Sequence, residues 1–324
     1  MTDRTRASGR DLGARLRERD LTAAPAALNL IESRARDARE QAEALLAEVS
    51  PGALGHEPPA HIIGVTGPPG VGKSSLLSRL VAEWRGAERS VAVLAVDPSS
   101  RRSGGSLLGD RARIEADPRD RQVFIRSTAA GDRLGGLAPR TRTAAQALAA
   151  AFDVVVIETV GVGQSETEVA DAVDTVAVVL QPASGDMLQF LKAGIMEVPD
   201  VLVLTKADLG AAARRAMADL QAAVVALGAR DTAVCSVSSV PPPAGIPQLV
   251  GALDAHRASL DLPARRLQAR RRHALDEFVA EHGERGLRAL GGRLEAGRWL
   301  ERQDKLLDVA SLERALEARA EERR

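Results

Sequence analysis

The pattern of hydrophobic positions divides the chain into three zones. From about residue 10 to 48, Leu28, Leu30, Ile31, Ala35, Ala38 and Ala42 recur at near-helical spacing among Arg and Glu, which predicts helix. The run SPGALGHEPP at Ser50–Pro59 ends that pattern with proline and glycine. Beyond it, short β-branched runs alternate with helical stretches. Strands are predicted at His61–Thr66, Val91–Val96, Gln122–Arg126, Val154–Glu158, Thr175–Gln181, Val201–Thr205 and Thr232–Val237. Most are near-continuous apolar runs, as a parallel sheet covered on both faces requires. Helices are predicted between them at Lys73–Trp84, Thr141–Ala151, Ala211–Leu227 and Ile246–Leu260. This alternation predicts an α/β fold, a doubly wound and mainly parallel sheet. After Pro263 the chain is strongly charged. Leu275, Phe278, Val279 and His282 share one helical face there, and so do Val309, Leu312 and Leu316. The expected division is an N-terminal helical extension over 1–56, the α/β domain over 57–260 and a C-terminal helical region over 261–324. The two apolar stripes of that last region suit a helical dimer contact.

Composition removes several function classes. Lys plus Arg and Asp plus Glu both number 44, so no net charge draws the chain to nucleic acid or a membrane. Aromatics are 2% with no Tyr, which leaves no stacking platform for single strands. Neither nucleic acid nor a membrane is expected as a partner. The one cysteine, Cys235, forms no intrachain disulfide, and it and the five histidines show no metal-ligand spacing. No apolar run nears the roughly 20 residues that span a bilayer, and the first residues lack the apolar core of a secretory signal. A soluble, cytoplasmic location is the expectation.

The chemistry begins with Gly67-Pro68-Pro69-Gly70-Val71-Gly72-Lys73-Ser74, followed by Ser75. It fits G-x-x-x-x-G-K-[ST] completely and lies between a predicted strand and a predicted helix, the context this phosphate-binding loop needs. Glycines let the backbone curl so that its N–H groups and the helix N-terminus hold a phosphate. Lys73 supplies a point charge to the β- and γ-phosphates, and the Ser74 hydroxyl a ligand for Mg²⁺. Asp97, Asp110 and Glu158 are further candidates for the metal site. Asp97 and Glu158 end apolar strands, where open α/β sheets bind ligands. Since Mg²⁺ takes one or two protein carboxylates, not all three bind it directly.

Thr205-Lys206-Ala207-Asp208 ends the strand Val201–Thr205 and resembles the N-K-x-D element of GTP-binding proteins. A carboxylate at Asp208 accepts from the N1–H and 2-amino groups that guanine has and adenine lacks. The stem of Lys206 lies along the base. Thr205 stands where Asn is usual and offers one hydroxyl in place of an amide, which puts the strictness of guanine selection in question. Ser238 and Ser239 sit where such proteins carry Ser-Ala, with a backbone N–H for the guanine carbonyl.

Taken together, GPPGVGKSS, VLAVDPSSRRSGGSLLGD, VFIRS…LGGLA, VVVIETVGVGQSE, GDMLQFLKAGIMEVPD and TKAD resemble the MeaB/ArgK-type GTPases, the G proteins associated with methylmalonyl-CoA mutase and relatives of the metallochaperone GTPases. The resemblance runs from about Leu28 to Leu249. It implies a homodimeric chaperone of adenosylcobalamin-dependent acyl-CoA mutases, in which GTP binding and hydrolysis gate delivery of intact cofactor and release of damaged cofactor. By resemblance Lys73 and Ser74 are the phosphate lysine and the Mg²⁺ ligand, and Asp97, Asp110 and Glu158 surround the ion and the switch regions. Gly161 meets the γ-phosphate, Asp208 reads guanine, and Asp186, Gln189 and Lys192 belong to the segment that couples nucleotide state to the mutase. Phe190 and Ala193 depart from the more common Gly and Lys. Gln164 is a candidate to orient water. Rival readings are an ATPase, a kinase, a nickel chaperone and a non-hydrolysing nucleotide-dependent scaffold.

Overall fold

The structure is a computed structural model and describes residues 8–33, 35, 38–97, 114–129, 139–159, 169–182, 199–229 and 231–323. The chain forms two compact units, one spanning Pro59–Leu260 and the other built from the residues on either side of it.

The Pro59–Leu260 unit is built on a parallel sheet. Its strands are β1 (His61–Thr66), β2 (Val91–Asp97), β3 (Val123–Ala129), β4 (Val154–Glu158), β5 (Thr175–Leu180), β6 (Val201–Leu204) and β7 (Ala233–Ser236). Their order is β3-β2-β4-β1-β5-β6-β7, and every pairing is parallel. Every residue of β1, β4, β5 and β6 is buried, which is why these segments read as unbroken apolar runs. On one face Leu76, Leu77, Leu80 and Trp84 of the helix Lys73–Gly86 join Leu249 and Leu253 of the helix Ile246–Ser259 over β-branched residues of the sheet.

An aspartate immediately before a strand pins the register of its neighbour three times. Asp153 before β4 accepts the N–H of Ser90 at 2.8 Å. Asp174 before β5 accepts from Ile62 of β1 at 2.8 Å. Asp200 before β6 accepts from Val176 of β5 at 2.8 Å. Each carboxylate satisfies an amide at the entry to a strand, where the ladder has not yet begun.

The same pole of the sheet holds a chain of side chains. His256 Nε2 lies 3.2 Å from Asp200 Oδ1, His256 Nδ1 2.8 Å from Thr175 Oγ1, and Thr175 Oγ1 2.7 Å from His61 Nε2. A carboxylate only accepts, so His256 donates from Nε2; the Thr175 hydroxyl stands between the two rings and can donate to one and accept from the other. His61 Nδ1 lies 3.9 Å from Asp254 Oδ1, beyond hydrogen-bond reach. His61 is fully buried. Burial holds its pKa below the ordinary histidine value, against the pull of Asp254.

In the flanking unit, helices Gly9–Arg17, Ala24–Glu32 and Ala38–Glu48 occupy the predicted N-terminal helical zone. The zone is interrupted because Ser33 leaves helical geometry with an extended backbone. The long helix Leu262–Ala289 departs from helical geometry at Gly283 (φ 62°). It is followed by Arg293–Leu300 and Val309–Glu322. Leu275 and Phe278 pack in one core with Leu312 and Leu316. The two apolar stripes therefore cover each other within the chain. The guanidinium of Arg270 makes a two-pronged pair with the Glu57 carboxylate, 2.9 Å on each arm. No described helix is long and apolar enough to cross a membrane.

Buried neutral His61 sets a pH dependence. Below about pH 6.5 the unfolded chain takes up a proton that the folded site resists, so stability is full above that pH and falls as the pH drops through it. Denaturant unfolding of wild type and His61→Gln at pH 7.5 and 5.5 checks this. The wild type is expected to lose more stability between the two pH values than the variant does.

Candidate nucleotide site

The phosphate loop runs from β1 into the helix Lys73–Gly86, at the carboxyl end of the central strands. Gly67 has φ +148°, and a Cβ there would lie 2.2 Å from the Val179 carbonyl oxygen of β5. Only glycine lets the main chain pass that strand so closely. Gly70 (φ 78°) and Gly72 (φ 96°) complete the curl in the left-handed region. Gly72 precedes the helix, and no side chain caps its first turn. The N–H groups of that turn thus remain suited to an anion.

Lys73 is buried, and its Nζ donates to the carbonyls of Gly67 at 2.7 Å and Pro68 at 3.0 Å. The ammonium is thereby held against the loop that would receive phosphate. Ser74 Oγ donates to Glu158 Oε1 at 3.3 Å, across β1 to the end of β4. Glu158 is buried. These hard oxygens fit Mg²⁺ in kind and in spacing, since an octahedral ion with ligands at about 2.1 Å holds adjacent ligands about 3 Å apart. Ser75 is exposed on the same turn. Among the described residues, the buried hydroxyls of Thr66, beside the loop, and Thr159, just after Glu158, find no hydrogen-bond partner. Nothing in the sequence marks either.

The Thr205 element lies beyond β6. Thr205 is buried, and its hydroxyl is 2.6 Å from the Val71 carbonyl of the phosphate loop and 2.9 Å from the Leu180 carbonyl of β5. It thus engages main chain, tying the loop to the strand next to it. Lys206 adopts the left-handed conformation (φ 55°). Its Nζ donates to Gly70 O at 3.3 Å and to the Gln181 side-chain oxygen. Asp208 is exposed, and its Oδ1 accepts from the buried Ser238 hydroxyl at 2.8 Å. The Ala207 N–H donates to Val237 O at 3.0 Å, which joins this turn to the end of β7. Ser239 follows, and its carbonyl accepts from Arg79 Nε at 3.0 Å.

The structure thus gathers Gly67, Gly70, Val71, Gly72, Lys73, Ser74 and Glu158 with Thr205 and Lys206, and joins Asp208 to Ser238. Asp97 ends β2, but its side chain lies outside the described residues, as do Asp110, Gly161, Gln164, Asp186, Gln189, Phe190, Lys192 and Ala193. Arg79 and Gln181 carried no signal in the sequence.

A family model described as "Methylmalonyl Co-A mutase-associated GTPase MeaB" matches residues 24–288. The chain belongs to the MeaB family. A provisionally named GTPase of Caulobacter vibrioides is 48% identical over 190 residues, 58% of this chain and 57% of that one. The Mus musculus protein named "Methylmalonic aciduria type A homolog, mitochondrial" is 41% identical over 218 residues, 63% of this chain and 51% of that one. The chain thus spans about half the length of the curated relatives it matches. A solved structure titled LAO/AO transport system kinase covers 98% of both chains at 28% identity and a TM-score of 0.65. The parallel sheet with its phosphate loop is the P-loop GTPase fold of this MeaB group.

Thr205→Val keeps the shape, removes the hydroxyl and leaves the Val71 carbonyl without that donor. Losing a buried hydrogen bond of this kind costs about 1–2 kcal/mol, so GDP affinity measured by calorimetry should fall about tenfold. Thr205→Asn, which restores a donor, should bind within a few-fold of wild type.

Proposed function

We propose that this chain is a Mg²⁺-dependent GTPase. It binds and hydrolyses GTP to gate cofactor loading and protection of an adenosylcobalamin-dependent acyl-CoA mutase, with methylmalonyl-CoA mutase the first candidate. The observation that carries the nucleotide reading is the pairing, at one end of one sheet, of an uncapped helix start behind a glycine curl with a carboxylate at Asp208 held by Ser238. Membership of the MeaB family supports the mutase as partner. The assembly proposed is a homodimer.

In this reading the loop amides and the first turn grip the β-phosphate. Lys73 exchanges its carbonyl partners Gly67 and Pro68 for phosphate oxygens, so its charge is positioned before the nucleotide arrives. Ser74 and Glu158 would hold Mg²⁺, directly or through water. When bound, the ion supplies Lewis-acid neutralisation of the β- and γ-phosphate oxygens. Water attacks the γ-phosphorus in line, the bond to the β–γ bridging oxygen breaks, and GDP, phosphate and a proton leave. Asp208 accepts from guanine N1–H and the 2-amino group, and Lys206 lays its stem along the base. Val71, Gly70 and Ser239 contribute main-chain groups. Asp97, Asp110 and Gly161 are assigned to the metal and γ-phosphate surroundings, and Asp186, Gln189 and Lys192 to coupling with the mutase, on family resemblance.

A second reading, phosphoryl transfer to an acceptor other than water, is favoured by the kinase title of the solved structure that spans nearly the whole chain. Release of inorganic phosphate from GTP distinguishes the two, since a kinase leaves the phosphate on its acceptor.

Lys73→Ala is expected to reduce phosphate release from GTP to background, because the barrier is lowered chiefly by charge placed at the phosphates. Unchanged turnover overturns the mechanism. Capture from native cells with the protein loaded in turn with GTP and GDP should recover a cobalamin mutase in one nucleotide state and not the other. Equal recovery removes the gating.

A further inference from the structure

The helix Lys73–Gly86 touches both halves of the candidate site. Its first turn closes the phosphate loop. One turn later Arg79, half-buried, directs Nε to the carbonyl of Ser239 at 3.0 Å. Ser239 sits in the loop after β7. That loop is closed by the reciprocal bonds Ser238 N–H to Ala244 O (2.9 Å) and Ala244 N–H to Ser238 O (3.0 Å). Between them lie Ser239, Val240 and the prolines 241–243; the Val240 N–H donates to Ser238 Oγ at 3.3 Å, and the prolines have no N–H to add. Gly245 (φ 76°) then passes so close to β7 that a Cβ would lie 2.1 Å from Ser236 O. The far end of the loop is thus set by backbone. Ser238 is set by backbone too, and Ser239 beside it is gripped from outside by a charged donor, the stronger class of hydrogen bond.

Ser238 is the residue whose hydroxyl orients the Asp208 carboxylate. We propose that Arg79 is a positioning residue for base recognition: through Ser239 it fixes Ser238, and through Ser238 it aims Asp208 at guanine. This rests on the guanine reading above and extends it. It makes the phosphate helix part of the base-reading apparatus. It also gives Arg79 a role distinct from Thr205, which ties the loop itself at Val71. A lysine could reach the same carbonyl, but without the planar guanidinium that fixes the direction of the bond.

The test is equilibrium binding of GDP, IDP and inorganic pyrophosphate, each with Mg²⁺, to wild type, Arg79→Ala and Arg79→Lys, with thermal melting as a check on folding. IDP lacks the 2-amino group, so the GDP-to-IDP affinity ratio reports the aim of Asp208, and pyrophosphate reports the phosphate grip alone. Wild type is expected to prefer GDP. Arg79→Ala should lose about tenfold in GDP affinity, with a smaller loss for IDP and pyrophosphate within twofold of wild type. Arg79→Lys should recover part of the ratio. If Arg79→Ala folds and keeps the wild-type ratio, or loses pyrophosphate and GDP equally, the positioning role is wrong while the guanine reading stands. If Arg79→Ala does not fold, Arg79→Met, which keeps the aliphatic stem and removes the donor, decides, and a wild-type ratio in it overturns the role. If wild type itself does not prefer GDP to IDP, the guanine reading fails and the role of Arg79 falls with it.

Discussion

Main chain held against main chain at the end of β1 is the constraint on which the site depends. The loop leaves β1 and must turn into a helix without a side chain at Gly67, because the Val179 carbonyl occupies the space a Cβ would need. The Thr205 hydroxyl reaches Val71 from the other side, and the Lys73 ammonium folds back onto Gly67 and Pro68. Contacts from two neighbouring strand ends and from within the loop thus set its path. A cup made of amides is useful only if its N–H groups point to one place before a ligand arrives, and such preorganisation is where electrostatic binding and catalysis gain most.

The two ends of the sheet divide the work. At the carboxyl ends lie glycine turns, a lysine and hydroxyls without partners among the described residues, all features that a packed core would not retain for stability alone. At the amino ends Asp153, Asp174 and Asp200 satisfy strand amides, and the histidine–threonine chain closes over them. Register fixed at one pole decides where each strand stops at the other. Glu158 arrives opposite Ala95 and Val65 because β4 is aligned from its first residue.

The strands were legible because their signal is local and continuous. β1 and β4 match the predicted bounds to the residue, and β6 ends at Leu204, one residue earlier than expected, although the Thr205 N–H still reaches the Leu180 carbonyl at 2.9 Å. The phosphate loop was equally plain, since every part of the motif is contiguous. What could not be read were ties across sequence. Arg79 meets Ser239 across 160 positions and Thr205 meets Val71 across 134, and neither leaves a periodic mark. The register aspartates were visible as letters, in FDVVV, VDTVA and PDVLV, but an acid before an apolar run reads equally well as a solvated turn. In the terminal helices spacing revealed which face is apolar and said nothing of what covers it. Leu275 and Phe278 found Leu312 and Leu316 of the same chain.

Thr205 has a consequence that follows from counting hydrogens. A hydroxyl carries a single proton, yet two carbonyls, of Val71 and Leu180, stand within its reach. An amide would bring two N–H groups and could serve both acceptors at once. With threonine the two acceptors share one proton, so loop and strand are joined through a single donor where a carboxamide could supply two.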